Sequence, residues 1–376
     1  MAITYTEVFD SFTPGTEDTW TDYDIYTNDS IPLGAVVEIL ICNAAADVKQ
    51  DVGVRTDGSA IDRRTAQASG SLYLSEAENG GETSIRMFVT VHAATGLIEY
   101  YVNNTANITF RIVGYFEGVT FTETAFTEIG AATYDSWTDW DLNGTNGVPN
   151  GDIAHFAVAN FRSFEGRLTG VRTDGSSLNR YTIINEAENG HEVISLFAVC
   201  HASTGLVEYY RDASQSHIFL TGYFDSTDMG FVELYQNLNV TSASSWEDFD
   251  LSAYLDEDGR VVDVLLMHQV RAAAAQFGVR ENGGAEPSRI VDIAESEDNG
   301  YRAVSMTVQT DAGGIIELYG EDTSGDAVQL TGYFTWEEEA VGGNIKTVNG
   351  IAWANVKSVN GVVKANIKSI NGVSAS

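Results

Sequence analysis

Ile85-Arg86-Met87-Phe88-Val89-Thr90-Val91 points Ile85, Met87, Val89 and Val91 to one side of an extended chain, and Ile108-Thr109-Phe110-Arg111-Ile112-Val113 does the same with Ile108, Phe110 and Ile112. Apolar residues at every second position mark half-buried antiparallel strands. Between the two stretches lies Thr95-Gly96-Leu97-Ile98-Glu99-Tyr100-Tyr101. It returns as Thr204-Gly205-Leu206-Val207-Glu208-Tyr209-Tyr210, and more loosely as Gly314-Ile315-Ile316-Glu317-Leu318-Tyr319. Four other strings recur in the same order. Trp20-Thr21-Asp22-Tyr23-Asp24 matches Trp137-Thr138-Asp139-Trp140-Asp141 and Trp246-Glu247-Asp248-Phe249-Asp250. Gly53-Val54-Arg55 matches Gly170-Val171-Arg172 and Gly278-Val279-Arg280. Glu78-Asn79-Gly80 matches Glu188-Asn189-Gly190 and Asp298-Asn299-Gly300, and Gly114-Tyr115-Phe116 matches Gly222-Tyr223-Phe224 and Gly332-Tyr333-Phe334.

Five markers in one order, 108 to 117 residues apart, define three homologous units. They are expected at 1–118, 119–226 and 227–338, with 339–376 left over. The offset between the first two units falls from 117 at Gly53 to 110 at Glu78, so the first unit carries seven extra residues around Thr65 to Ser75, read as a loop insertion. Each unit holds seven or eight alternating segments separated by Gly, Asn and Asp turns. That number in about 110 residues predicts an all-β chain of three tandem antiparallel β-sandwiches, jelly-roll-like. No stretch reads as a helix of ten residues; Arg271 to Gln276 is the only Ala-rich candidate, and its equivalents read as strand ends.

Composition agrees. A chain of 376 residues with 43% hydrophobic and 11% aromatic side chains can build several packed cores, and 36 glycines against four prolines suit strands joined by tight turns. The net charge of −34 repels phosphate backbones and anionic headgroups, which argues against nucleic-acid and membrane-surface partners. An acidic, solvated coat is the plainer meaning of that charge, with cation-dependent binding as the sharper one. Cys42 and Cys200 each sit in an apolar run of a different unit, so both read as small buried hydrophobes without a disulfide. The first residues lack a basic region and an apolar stretch, so no signal peptide is expected, and no run reaches transmembrane length.

From Ala340 the chemistry changes. No Asp or Glu follows, four of the five lysines lie here (Lys346, Lys357, Lys364 and Lys368), and the segment carries +4 against −38 for the remainder. It repeats every eleven residues: Asn344-Ile345-Lys346-Thr347-Val348-Asn349-Gly350, Asn355-Val356-Lys357-Ser358-Val359-Asn360-Gly361 and Asn366-Ile367-Lys368-Ser369-Ile370-Asn371-Gly372. Asn-Gly between β-branched residues is the preferred two-residue hairpin turn, because both turn positions need positive φ. Three such hairpins bury too little apolar surface to stand alone. The segment is therefore expected to pair in an oligomer, pack on the third sandwich or dock on a partner, with Gly342-Gly343 as a hinge.

Candidate chemistry is sparse. His92 and His201 occupy equivalent places, but no other His, Cys or carboxylate recurs beside them, so a surface histidine is the better account. Arg55, Arg172 and Arg280 recur in all three units, as do the acids Glu78, Glu188 and Asp298. They read either as a repeated ligand clamp or as internal ion pairs and loop braces; presence in every copy favours architecture. Trp20, Trp137 and Trp246 read as core anchors with their neighbouring acids on the solvent face of an edge strand, the alternative being aromatic platforms for sugars. Asp256-Glu257-Asp258-Gly259 lacks calcium-loop spacing, and no catalytic motif or cofactor signature stands out.

The stretch Ile345-Lys346-Thr347-Val348-Asn349-Gly350-Ile351-Ala352-Trp353-Ala354-Asn355 resembles short repeats at the ends of structural proteins of tailed bacteriophages. The three preceding units look like the β-sandwich modules that decorate phage heads or build tail appendages. The resemblance in the tail covers about a tenth of the chain; in the sandwiches it rests on pattern. It implies a non-enzymatic virion-surface protein made in a host cytoplasm, either a capsid decoration or a tail-fibre component, and it transfers no catalytic residue. Other virion proteins and further copies of the chain, such as a trimer, are the partners it implies. Ile345, Lys346, Val348, Asn349, Gly350, Trp353, Val356, Lys357, Asn360, Gly361, Ile367, Lys368, Asn371 and Gly372 form the expected interaction tail. The alternative function is an adhesin whose partner is a surface glycan. The units themselves are expected either around a pseudo-threefold axis or as beads along a fibre.

Overall fold

The computed structural model describes residues 3–336 apart from 46–47, 68–71, 76–80, 131–132, 162–165, 185–189, 258, 270–273, 285–288, 295–300 and 322–325. In the C-terminal segment it describes 347–348, 351–352, 358–359, 362–363, 369–370 and 373–374. The chain divides into a body, Thr4–Thr335, and a second unit that contains the C-terminal segment from Trp336.

The body is all-β. The first unit contributes β1 (Thr4–Phe12), β2 (Thr21–Asp24), β3 (Val36–Asn43), β4 (Val52–Thr56), β5 (Thr83–Thr90), β6 (Leu97–Val102) and β7 (Ile108–Glu117). The second contributes β8 (Phe121–Glu128), β9 (Thr138–Asp141), β10 (Ile153–Phe161), β11 (Arg167–Thr173), β12 (Tyr181–Ile184), β13 (His191–Val199), β14 (Leu206–Arg211) and β15 (Ser216–Phe224). The third contributes β16 (Gly230–Leu238), β17 (Ser245–Asp250), β18 (Val261–His268), β19 (Ala275–Glu281), β20 (Ile290–Ile293), β21 (Arg302–Gln309), β22 (Ile315–Gly320) and β23 (Asp326–Thr335).

Each unit forms two antiparallel sheets. The inner ones run β1-β7-β3-β5, β8-β15-β10-β13 and β16-β23-β18-β21; the outer ones run β2-β6-β4, β9-β14-β11-β12 and β17-β22-β19-β20. Strands near in sequence alternate between the two layers, which is the jelly-roll pattern. The seven extra residues of the first unit interrupt what would be its fourth outer strand. Arg64 bridges Gly53, as Tyr181 faces Gly170, and Leu74 bridges Gln50, with a 3-10 turn at Thr65–Gln67 between them. Two five-residue helices, α1 (Ile25–Asp29) and α2 (Leu142–Asn146), follow β2 and β9, and the preceding Asp24 and Asp141 accept from the amides of Thr27 and Gly144 as N-caps. No helix among the described residues is long and apolar enough to cross a membrane.

The three sandwiches close a ring about a pseudo-threefold axis rather than lying as beads. Phe116, Phe224 and Phe334, the last residues of the recurring Gly-Tyr-Phe string, meet there edge to face with centroids 5.4 to 6.0 Å apart. Three parallel bridges join successive units: Leu74 with His191, Ile184 with Tyr301, and Ile293 back to Glu82. Each apolar core also takes in side chains of the next unit's inner sheet. Ala157 and Ala159 enter the first core, Leu265 and Met267 the second, and Leu40 and Cys42 the third.

This packing corrects the expectation of half-buried strands. In β5 not only Ile85, Met87 and Val89 are buried but Ser84, Arg86 and Phe88 as well, because the second face meets the neighbouring units. Cys42, within β3, and Cys200, just after β13, are buried free thiols.

In the C-terminal unit, Thr347–Val348 pairs with Ile351–Ala352, Ser358–Val359 with Val362–Val363, and Ser369–Ile370 with Val373–Ser374. These are the three minimal hairpins that the Asn-Gly repeats predict.

Candidate functional site

Three of the five recurring strings converge on one surface, the outward face of each outer sheet. Register explains why. In the second unit Gly170 lies opposite Tyr181 on one side and Tyr210 on the other, while Tyr209 faces Thr138, which puts Trp137 next in line. The row across the sheet is thus Tyr181, Gly170, Tyr210, Trp137. Its equivalents are Arg64, Gly53, Tyr101, Trp20 in the first unit and Ile290, Gly278, Tyr319, Trp246 in the third. Glycine is required in the row because a Cβ would lie 2.0 to 2.5 Å from the carbonyl oxygens of Arg63, Arg180 and Arg289.

Beside each aromatic row runs a charged one. Arg55, Arg172 and Arg280 pair with Glu99, Glu208 and Glu317 at 2.7 to 2.9 Å, across adjacent strands of the same sheet. The first two also donate to the carbonyls of Ile61 and Leu178 in the loop that follows. Each guanidinium lies over a tryptophan ring, 4.1, 4.0 and 4.1 Å from the centroid for Trp20, Trp137 and Trp246. These tryptophans are therefore not core anchors. They are half-buried outside the apolar cores, on the solvent side of the outer sheet, with one ring face taken by arginine. The aromatic residue three places on, Tyr23, Trp140 or Phe249, is the one that packs against the core.

The histidines have a neighbour that adjacency in sequence does not reveal. Nδ1 of His92 lies 2.9 Å from Thr95 Oγ1, whose hydroxyl donates to Asp57, and Asp57 is 3.8 Å from the imidazole. His201, Thr204 and Asp174 repeat this arrangement in the second unit. A carboxylate thus does recur beside both histidines, brought there by the turn after β4 or β11. Asp22 and Asp139 stand close by, and burial together with the carboxylates Asp57 and Glu99, or Asp174 and Glu208, raises both above the ordinary aspartate value. The third unit has Asn282 and Thr310 instead. No group of three His, Cys or carboxylate ligands with metal-binding geometry occurs among the described residues. Arg260 pairs with Asp256 and Glu257, so that acidic cluster is tied into the fold.

A second set of polar residues occupies the axis. Arg63, Arg180 and Arg289 are fully buried, and each reaches an acid on the first strand of the following unit: Glu123 at 3.3 Å, Glu233 at 2.9 Å and, closing the ring, Glu7 at 2.8 Å. Register shifts in β1, β8 and β16 fall immediately after these glutamates, where a bulge re-aims the side chain. Arg63 and Arg180 also donate to the carbonyls of Thr221 and Thr331 in the next unit, both at 2.9 Å. Sequence reading missed these arginines and glutamates. Their signal is a lone residue repeated at 117 and 109 positions for arginine, and 116 and 110 for glutamate, without a recurring string around it.

Nearer the centre, equivalent positions carry Glu38, His155 and Asp263. Arg86 lies 2.5 Å from Asp263 and 3.5 Å from Glu38. The Thr307 amide and hydroxyl donate to Glu38, the Thr331 hydroxyl donates to Asp263, and His155 bonds Thr221. Burial raises the Glu38 carboxyl above its ordinary value, opposed by Arg86; burial, then Arg86 and Arg63, hold His155 well below its own. Three identical charges at a threefold position would repel one another; a single chain can place an acid, an imidazole and another acid there instead. These side chains are buried, and the contacts from Arg86 to Asp263 and from Thr307 to Glu38 cross between the first and third units.

Val348 is the one residue of the expected interaction tail whose backbone is described, as a hairpin strand. Ile345, Lys346, Asn349, Gly350, Trp353, Val356, Lys357, Asn360, Gly361, Ile367, Lys368, Asn371 and Gly372 lie outside the described residues, as do Glu78, Glu188 and Asp298.

No family model matches the sequence, and no curated protein matches it. Among solved structures, a chain of the Sulfolobus Turreted Icosahedral Virus is 9% identical with a TM-score of 0.20, over 90% of this chain and 92% of that one. A chain from the triple jelly roll fold and turret assembly of an archaeal virus matches at 9% identity and a TM-score of 0.20, over 90% and 91%. The CBM22-1–CBM22-2 tandem of Paenibacillus barcinonensis Xyn10C matches at 9% and 0.14, over 58% of this chain and 91% of that one. At these scores the likeness carries no functional argument.

Proposed function

We propose that the chain is a non-enzymatic structural protein of a virus particle, a capsid decoration or a tail-fibre component of the tailed-bacteriophage type, made in the host cytoplasm. It displays three acidic sandwiches around one axis and is anchored through residues 339–376 to other virion proteins or to further copies of itself. The observation that supports this reading best is how the repeated polar residues are used. Arg63, Arg180 and Arg289 clamp one unit to the next, while Arg55, Arg172 and Arg280 brace single sheets. Repetition here serves rigidity, as suits a building block. The C-terminal hairpins, two residues per strand, are too small to be stable without a partner, and their +4 charge opposes the −38 of the remainder.

The test is a truncation removing residues 341–376. The expected product unfolds with the same cooperativity and midpoint as the body of the full chain but fails to enter particles or to self-associate in sedimentation. Undiminished incorporation would overturn the anchoring role.

A further inference from the structure

The three outer faces share a tryptophan, a tyrosine and a glycine, and differ at the remaining place in the row. The first unit has Arg64, whose guanidinium lies 4.6 Å over Tyr101 and leaves that tyrosine buried. The third has Ile290. The second has Tyr181, which leans across the empty side-chain position of Gly170 to stack on Tyr210, 4.7 Å away at 28°. Trp137 borders both rings at 6.0 and 5.7 Å. All three are half-buried, so a contiguous aromatic surface stays in contact with water on a sheet whose opposite face is core.

We infer that the outer face of the second sandwich binds a neutral pyranose oligosaccharide, seated on the Tyr181–Tyr210 pair. The stack takes one face of each ring, so the face of the pair turned away from the partner ring is what meets the C–H face of a sugar. The mutual contact orders both rings before any ligand arrives, which lowers the entropic cost of binding. Trp137 borders the pair as a wall, with Arg172 over one side of the indole. The four strands of this sheet span about 14 Å, room for a short oligosaccharide rather than one sugar. Glu208, pinned by Arg172, and Asp139 beside it present carboxylate oxygens as hydroxyl acceptors along the same face. Their sign selects against sialic and uronic acids. The inference is independent of the particle role proposed above, whose test reads assembly and not sugar.

The experiment uses the full chain on an array of neutral, N-acetylated and acidic oligosaccharides, followed by titration calorimetry with the best neutral probe. Tyr181→Ile and Tyr181→Arg install the residues that the third and first units carry at this position, so the sheet is expected to fold; circular dichroism verifies it. Trp246→Ala, in the third unit, is the control. The expected result is a neutral probe bound with one site per chain, at least tenfold weaker in both Tyr181 variants and unchanged in the control. No neutral probe bound, preference for an acidic one, or affinity undiminished in Tyr181→Ile would each overturn the assignment.

Discussion

Strands β13 and β14 follow one another in sequence and belong to opposite sheets of one sandwich. Along β14 burial alternates strictly, with Val207, Tyr209 and Arg211 enclosed and Leu206, Glu208 and Tyr210 partly exposed. Along β13 eight consecutive residues from His191 to Ala198 are buried. The same contrast separates β21 from β22. An outer sheet touches one core; an inner sheet touches its own core and its neighbours around the axis. The second face of an inner sheet nevertheless reads as polar, since Arg86, Ser195 and Ser305 sit there, and its polar groups find partners in other units: Arg86 reaches Asp263, and Ser195 exchanges hydrogen bonds with Ser305. A polar face in a strand pattern is thus not evidence of water.

The contrast can be broken most severely at the ring clamps. Glu233→Ala leaves Arg180 buried without its acid, which costs about 3–5 kcal/mol. Equilibrium denaturation should show the same loss for Glu123→Ala, whereas a loss below about 1 kcal/mol in both would mean that water reaches the inner faces. A smaller effect lies in pH. His155 is held well below its ordinary value of 6.5 by burial and then by Arg86 and Arg63, with Thr221, Phe88 and Phe197 as its other neighbours. Because the folded state refuses the proton, its contribution is whole above pH 6.5 and is lost as pH falls from there through the folded-state value. Glu38, raised by burial, acts in the opposite sense above its ordinary 4.5, so the comparison must be between variants. His155→Asn should flatten the stability profile between pH 6.5 and 5 by at most one proton's worth, about 1.4 kcal/mol per pH unit. Identical slopes in the two proteins would remove His155 from the account. The smallest effect belongs to the outer face: Trp246→Ala removes a half-buried ring and its Arg280 stack, about 1–2 kcal/mol in the same denaturation assay. A loss equal to that of Glu233→Ala would erase the distinction between the sheets.

Much of the outer face was legible early, because its residues sit in strings that recur together. The pairing of Arg55 with Glu99 was not, although both lie in recognised strings: it depends on the register that sets β4 against β6. The clamps were harder, since Arg63, Arg180 and Arg289 are followed by Arg64, Tyr181 and Ile290, and no string of adjacent residues around them repeats in all three units. Hardest were exchanges that compensate across units. Tyr5 stands where the other units have Phe121 and Phe231, and Thr307 where they have Phe88 and Phe197; the tyrosine hydroxyl meets the threonine hydroxyl at 2.7 Å. Each substitution looks like drift until the contact is seen. Which aromatic faces are covered is likewise decided in three dimensions: Arg172 lies over Trp137, and Tyr181 stacks on Tyr210.

From the amino acids alone follow the all-β class, the triplication, the site of the insertion and the Asn-Gly hairpins, since each depends on local periodicity, turn chemistry or self-similarity. Only the tertiary structure decided that the three sandwiches close a ring, which second faces are buried, and which charges meet at the axis. Those outcomes depend on contacts between residues fifty to three hundred positions apart, and alternation along a strand is blind to what lies across from it.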